Sequence, residues 1–131
     1  MAATVIISVT VHSNKFSLGI PLVKIYVEVK GRELRKYQTR LKNLKFLIID
    51  EYSMLGQKDL FFVSERLKQI KSNSAIFGGV SVLLIGDPAQ LPPVRADALW
   101  VDNTSSKNEE RRNGSILYRS FTECLFLKEN N

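Results

Sequence analysis

Two stretches built on the same pattern limit what this chain can fold into. Leu44–Glu51 reads LKFLIIDE: Leu44, Phe46, Leu47, Ile48 and Ile49 run almost unbroken into two adjacent carboxylates. Val80–Asp87 reads VSVLLIGD, a second apolar run that ends on a carboxylate and passes at once into Pro88-Ala89-Gln90-Leu91-Pro92-Pro93-Val94. Near-continuous apolar runs suit strands buried on both faces, as in parallel α/β sheets. Between them, Gly56–Asn73 carries Leu60, Phe61, Val63, Leu67 and Ile70 at close to helical spacing. Strand, helix, strand is a right-handed crossover, which predicts two parallel strands near each other. Asp50, Glu51 and Asp87 then share the carboxyl edge of one sheet, where open α/β sheets place their ligands. Either run alone also reads as a core strand ending in an acidic turn; the pair is what describes a shared site.

With 131 residues the chain has enough length for one domain with a real core, not two. No run approaches the roughly 18–20 apolar residues that span a bilayer. The first residues, MAATVIISVTVHSNKF, have neither a basic leader region nor a small-residue cleavage site, so no secretory signal is read. A single cysteine, Cys124, excludes an internal disulfide and a cysteine zinc site, and a single histidine, His12, excludes a mixed His/Cys metal centre. This usage points to an intracellular, reducing compartment. The net charge of +6 suits either a phosphate-rich partner or an ordinary solvated surface. The cations gather at Lys24, Lys30, Arg32, Arg35, Lys36, Arg40, Lys42 and Lys45, with a sparser group at Arg111, Arg112 and Arg119.

Along the chain, residues 1–13 are apolar with interleaved Ser and Thr, and periodicity does not choose between helix and strand. Phe16–Leu22 reads as a turn leading out of a short helix, with Gly19 and Pro21 as breakers. Residues 23–31 alternate (VKIYVEVKG), the pattern of a half-buried strand or of an insertion with strand propensity. Arg32–Asn43 is polar and basic, which predicts a surface helix feeding the first buried strand. Pro88, Pro92 and Pro93 make Pro88–Arg95 a fixed loop. Ala96–Trp100 is predicted as a short helical turn, Val101–Gly114 as a polar loop, Ser115–Phe121 as a short helix and Cys124–Lys128 (CLFLK) as a further buried strand. There is no internal repeat and no low-complexity tract.

At LIIDEYSML (Leu47–Leu55) and GDPAQLPPV (Gly86–Val94) the chain resembles superfamily 1 DNA helicases, in particular the petite-integration-frequency family with its mobile-element relatives. The order and separation of the two motifs, with a helix between them, fit the family. Ala2–Ser13 is similar to the family segment that ends in T-x-H-S, and Leu117–Asn130 to the strand entering the next arginine-bearing motif, so the likeness covers nearly the whole chain. It implies a partial RecA-like (P-loop NTPase) α/β parallel sheet with helices on both faces. It also implies an ATP-dependent 5′-to-3′ DNA helicase acting in DNA repair, recombination or telomere maintenance. The cofactors would be ATP and Mg²⁺, and the partner single-stranded DNA or DNA junctions, with no membrane. The compartment would be the nucleus or the mitochondrion.

The resemblance also implies residue roles, and the chemistry supports them. Cleaving a phosphoanhydride with water needs a divalent cation on the phosphates and a base that orients the water. Asp50 would hold Mg²⁺, an ion that favours carboxylate and water oxygens, and Glu51 would polarise the water. Gln90, with both a donor and an acceptor, would sense the γ-phosphate. Asp87, with the rigid Pro92-Pro93 step, would stand beside the nucleotide and link that sensor to the DNA track. Thr10, His12 and Ser13 would touch the phosphates of the single strand.

The departures are as informative. None of the seven glycines takes the GxxxxGK[ST] spacing, so the phosphate-cradling loop, its Lys and its Ser/Thr are not in this sequence. Residues 23–31 match nothing in the family pattern. The expectation is therefore a fragment of one motor domain without its phosphate-loop strand, unable to catalyse alone. The alternative is a non-catalytic remnant that binds nucleic acid or a partner through its basic surface.

Overall fold

The computed structural model describes residues 5–10 and 27–129. The residues segregate into a sheet of three parallel strands in the order β1 (Val5–Thr10), β2 (Leu44–Asp50), β3 (Ser81–Leu84). β1 passes to β2 through α1 (Gly31–Arg40), and β2 to β3 through α2 (Gln57–Lys71); α3 (Glu109–Arg119) follows the proline-rich loop. The expected crossover is thus present, with both predicted strands parallel and adjacent.

Register explains which side chains meet. Ile6 faces Phe46, and Ser8, Ile48 and Leu83 lie in one row; Ile7, Leu47 and Val82 lie in the next. Because side chains alternate along a strand, Leu47, Ile49, Val82 and Leu84 point to one face. There α2 packs Leu60, Val63, Leu67 and Ile70 against them, with Leu41, Leu99 and Leu117 closing the cluster. The opposite face is different. Ile6, Phe46, Leu83 and Ile85 are all exposed, Phe46 by 48% and Leu83 by 54%. The strands are therefore buried on one face rather than on both. Helices were expected on both faces; among the described residues they share a core with one face only.

Local chemistry sets the helix limits. Asp59 accepts the N–H of Gly56 (3.2 Å) at the start of α2, half of a capping box. Ser72, left-handed at φ 47°, ends it. Lys71 then donates to the carbonyls of Lys42 (2.9 Å), Leu44 (3.3 Å) and Leu41 (3.4 Å), tying the α1–β2 turn to the end of α2. The far end of α2 is tied to the loop beyond the prolines. Buried Gln57 donates to Val101 O (2.7 Å) and accepts from Asn103 (2.8 Å), while its N–H donates to Asp97 O (3.1 Å). Ser115 of α3 joins by accepting the N–H of Asn103 (3.1 Å).

Several sequence expectations are corrected. The polar loop predicted over 101–114 ends at Asn108, whose side chain caps α3 by accepting the N–H of Arg111 (2.9 Å). Glu109 and Glu110 fill the first turn, where carboxylates favour the helix dipole. Ala96–Trp100 forms turns and a single bridge from Ala98 to Gly56, not a helix. Residues 27–30 are irregular, so the alternating 23–31 pattern does not yield a strand in its described part; residues 23–26 lie outside the described residues. Cys124–Lys128 is not a buried strand: it has no regular structure, and Leu125 and Leu127 are 94% and 99% exposed. Apolar β-formers become a strand only where an edge receives them, and no described strand lies beside them.

Gly114 shows how tightly α3 sits. A Cβ there would stand 2.0 Å from the backbone oxygen of Gln57. Gly114→Ala must push α3 off the start of α2, an overpacking cost of about 1–3 kcal/mol or more. Urea unfolding is expected to show a lower midpoint by that amount with an unchanged slope; an unaltered midpoint would mean that the two helices are not held at this distance.

Candidate functional site at the carboxyl edge of the sheet

β2 delivers Asp50 half-exposed at its last position, and Asp50 Oδ1 accepts the N–H of Glu51 (2.8 Å). Glu51 is left-handed (φ 58°, ψ 41°), which turns the chain sharply into a 3₁₀ turn at Tyr52–Met54 and leaves the carboxylate exposed. Such a conformation costs a non-glycine residue on the order of 1–2 kcal/mol, and strain of this kind concentrates where geometry serves function. The β2–β3 ladder runs past the strand ends: Ile85 N–H donates to Ile49 O (2.8 Å), and Tyr52 N–H donates to Ile85 O (3.1 Å).

Gly86 then lies close between the two acidic tips. A Cβ on it would lie 3.0 Å from the N and Cδ1 of Tyr52 and 3.4 Å from Glu51 Cα. Asp87 closes the turn that follows. Its Oδ1 accepts the N–H of Ala89 (2.9 Å) and its backbone oxygen accepts the N–H of Gln90 (3.0 Å). Gln90 is thereby held one turn past Asp87, with an exposed side chain. Thr10 stands opposite Asp50 in the β1–β2 register.

Thr10, Asp50, Glu51, Asp87 and Gln90 are thus on one edge of the sheet; His12 and Ser13 lie outside the described residues. Burial pushes the Tyr52 phenol above its ordinary pKa, and the neighbouring Tyr118, Cys124 and Asp87 add to that. Two features escape the sequence reading. Gly86 is needed so that two backbones can touch, and the buried Ser53 hydroxyl has no hydrogen-bond partner among the described residues. The glycine directly before Asp87 was the only signal for the first; nothing in the sequence marks the second.

The donors at this edge are hard oxygens. Asp50 uses only Oδ1 in a hydrogen bond among the described residues, and Glu51 is exposed. Among the described residues no three His, Cys, Asp or Glu side chains gather into a cage. That combination fits Mg²⁺, which keeps several waters and takes one or two carboxylates plus phosphate oxygens, and it does not fit an ion needing a full protein cage.

A family model for PIF1-like helicases matches residues 1–130. The chain belongs to the PIF1-like helicase family. It is 38% identical over 97 residues to the ATP-dependent DNA helicase Pif1 of Psychrobacter sp. (strain PRwf-1), covering 72% of this chain and 14% of that protein. It is 36% identical over 102 residues to the ATP-dependent DNA helicase PIF1 of Saccharomyces cerevisiae (strain YJM789), covering 74% and 11%. Among solved structures it is similar to Pif1 helicase from Bacteroides in complex with ADP-AlF3 and single-stranded DNA, with a TM-score of 0.59 and 27% identity over 74% of this chain and 25% of that one. A second likeness is Bacteroides Pif1 bound to single-stranded DNA, at TM-score 0.55 and 29% identity over 68% and 24%. The three-stranded parallel sheet with its helices is thus the PIF1-like RecA fold in part, and the chain spans about a seventh or less of these curated relatives.

Proposed function

We propose that this chain supplies the metal-binding, water-orienting and γ-phosphate-sensing side of an ATP-driven 5′-to-3′ DNA helicase motor. The observation that carries this is the pair of adjacent parallel strands whose acidic ends meet, Asp50-Glu51 against Gly86-Asp87, with Gln90 fixed one turn further on. Bound there, a magnesium–ATP complex would supply the phosphoanhydride and the charge neutralisation its cleavage requires. Asp50 would hold the cation, usually through water. Glu51 accepts a hydrogen bond from the attacking water and draws its proton away; its exposure at the strained tip suits a group that must reach into a site. Gln90 hydrogen-bonds the γ-phosphate, and Asp87 fixes the turn that carries Gln90 toward the DNA side. Thr10, His12 and Ser13 contact the phosphates of the single strand. On this reading the chain's work lies in DNA repair, recombination or telomere maintenance, in the nucleus or the mitochondrion.

No GxxxxGK[ST] loop is in the sequence, so nothing here cradles the β- and γ-phosphates for in-line attack. The 131-residue chain alone is therefore expected to show no DNA-stimulated ATP hydrolysis. The decisive experiment replaces the matching stretch of the Psychrobacter relative with residues 1–130. DNA-stimulated hydrolysis by this graft supports the proposal. A graft that folds and binds single-stranded DNA, yet hydrolyses ATP no faster than background, overturns it in favour of a non-catalytic binding remnant.

A further inference from the structure

α1 carries a feature that nucleotide hydrolysis does not use. Its Leu34 and Tyr37 pack on the core. Arg32, Arg35, Lys36, Thr39 and Arg40 fall on the opposite side at i, i+3, i+4, i+7 and i+8, the spacing of one helical face. All five are exposed. Arg32, Arg35 and Lys36 take part in none of the ion pairs among the described residues. The helix has one acidic residue in its first turn, Glu33, and Arg40 stacks over the ring of Tyr37 at 5.0 Å. Exposed Lys30 and Lys42 extend the charge past both ends of the helix.

We infer that this face of α1 is a second nucleic-acid surface, separate from the carboxyl edge, and that it takes the phosphate backbone of double-stranded DNA. Three observations choose this partner. The charge is concentrated and of one sign, which a polyanion rewards by counterion release. From Arg32 to Arg40 the helix rises by about 12 Å, close to the roughly 12 Å width of a B-DNA major groove. The stripe can therefore meet phosphates of both strands. The face also offers no exposed aromatic ring: Tyr37 is half-buried beneath Arg40. Single-strand sites rely on such rings to stack bases, so this face reads backbone charge alone.

The test uses the full chain carrying a solubility tag, without nucleotide, so that failure here leaves the hydrolysis proposal standing. Fluorescence anisotropy follows a blunt 20-base-pair duplex and a single strand of the same length across a salt series. The triple variant Arg32→Gln, Arg35→Gln, Lys36→Gln is compared with Lys58→Gln, Lys107→Gln, Lys128→Gln, which removes the same charge elsewhere. The first triple should weaken duplex binding about tenfold or more at low salt. It should also lower the slope of log K against log salt by about 2–3, near 0.9 for each lost phosphate contact. The second triple should change both by much less. Circular dichroism confirms that α1 survives, since glutamine is a good helix former at exposed positions. Equal losses from the two triples, an unchanged slope in the first, or a loss confined to the single strand would each overturn the inference.

Discussion

Glu51→Gln in the grafted helicase is expected to lower kcat for DNA-stimulated ATP hydrolysis by about 10²–10⁴-fold, the usual worth of a positioned general base. That range corresponds to about 2.7–5.4 kcal/mol of barrier. The amide keeps the shape of the carboxylate but cannot take the water's proton. The change should not disturb the fold, because Glu51 lies exposed at the strand tip and glutamine meets the same left-handed backbone demand. KM for ATP should therefore move little. Asp50→Asn separates the two carboxylate roles: its activity should recover partly as Mg²⁺ is raised, whereas Glu51→Gln should not respond. Turnover within tenfold of the unsubstituted graft, or full rescue of Glu51→Gln by Mg²⁺, would remove Glu51 from the chemistry.

How much of this was legible in the sequence depended on whether the signal was local. β2 and α2 were, because a continuous apolar run and a helical stripe report burial without reference to distant residues. The acidic edge was legible for the same reason, as Asp50, Glu51 and Asp87 end apolar runs. The left-handed Glu51 and the contact at Gly86 were not, since both depend on how two strand ends approach each other. In α3 the local signal was present and outweighed. Asn108 followed by two glutamates is a helix start, yet Gly114 suggested a loop. That glycine is there because Gln57 of α2 passes against it, which no window of α3 alone can reveal. Cys124–Lys128 failed in the opposite sense: its composition is that of a buried strand, but a strand also needs a neighbour. Residues 23–31 carried a clean alternation, and the described part of it is held instead by α2. Val27 O accepts from Arg66 (2.9 Å), and Val29 N–H donates to Gln69 (3.2 Å).

In the chain alone, amide exchange along β3 is expected to alternate. Ile85 gives its N–H to Ile49 of β2 and its C=O to the N–H of Tyr52, just past the end of β2, and in a parallel ladder alternate residues bond alternate neighbours. Leu83 and Ile85 should therefore exchange slowly. Val82 and Leu84 point to an edge on which no described strand lies, and they should exchange fast. That open edge, together with the exposed face of Ile6, Phe46, Leu83 and Ile85, should make the chain associate with itself and bind an apolar dye. One added unit can cure both defects. β1-to-β2 and β2-to-β3 step across the sheet in one direction, so right-handed crossovers put α1 and α2 on the same face. A parallel strand laid beside β3 that leads back into β1 must step the other way, and its crossover helix then falls on the bare face. Fusing ahead of Met1 the stretch that precedes the matched residues in the Psychrobacter relative, expected to hold such a strand–helix unit, should protect Val82 and Leu84 and abolish dye binding. Covering about half of each of those four side chains contributes roughly 3 kcal/mol or more, which raises Tm by about 6–12 °C for a domain of this enlarged size. Slow exchange at Val82 and Leu84 in a monomer of the chain alone would show that the edge is already occupied, and would defeat the argument from handedness.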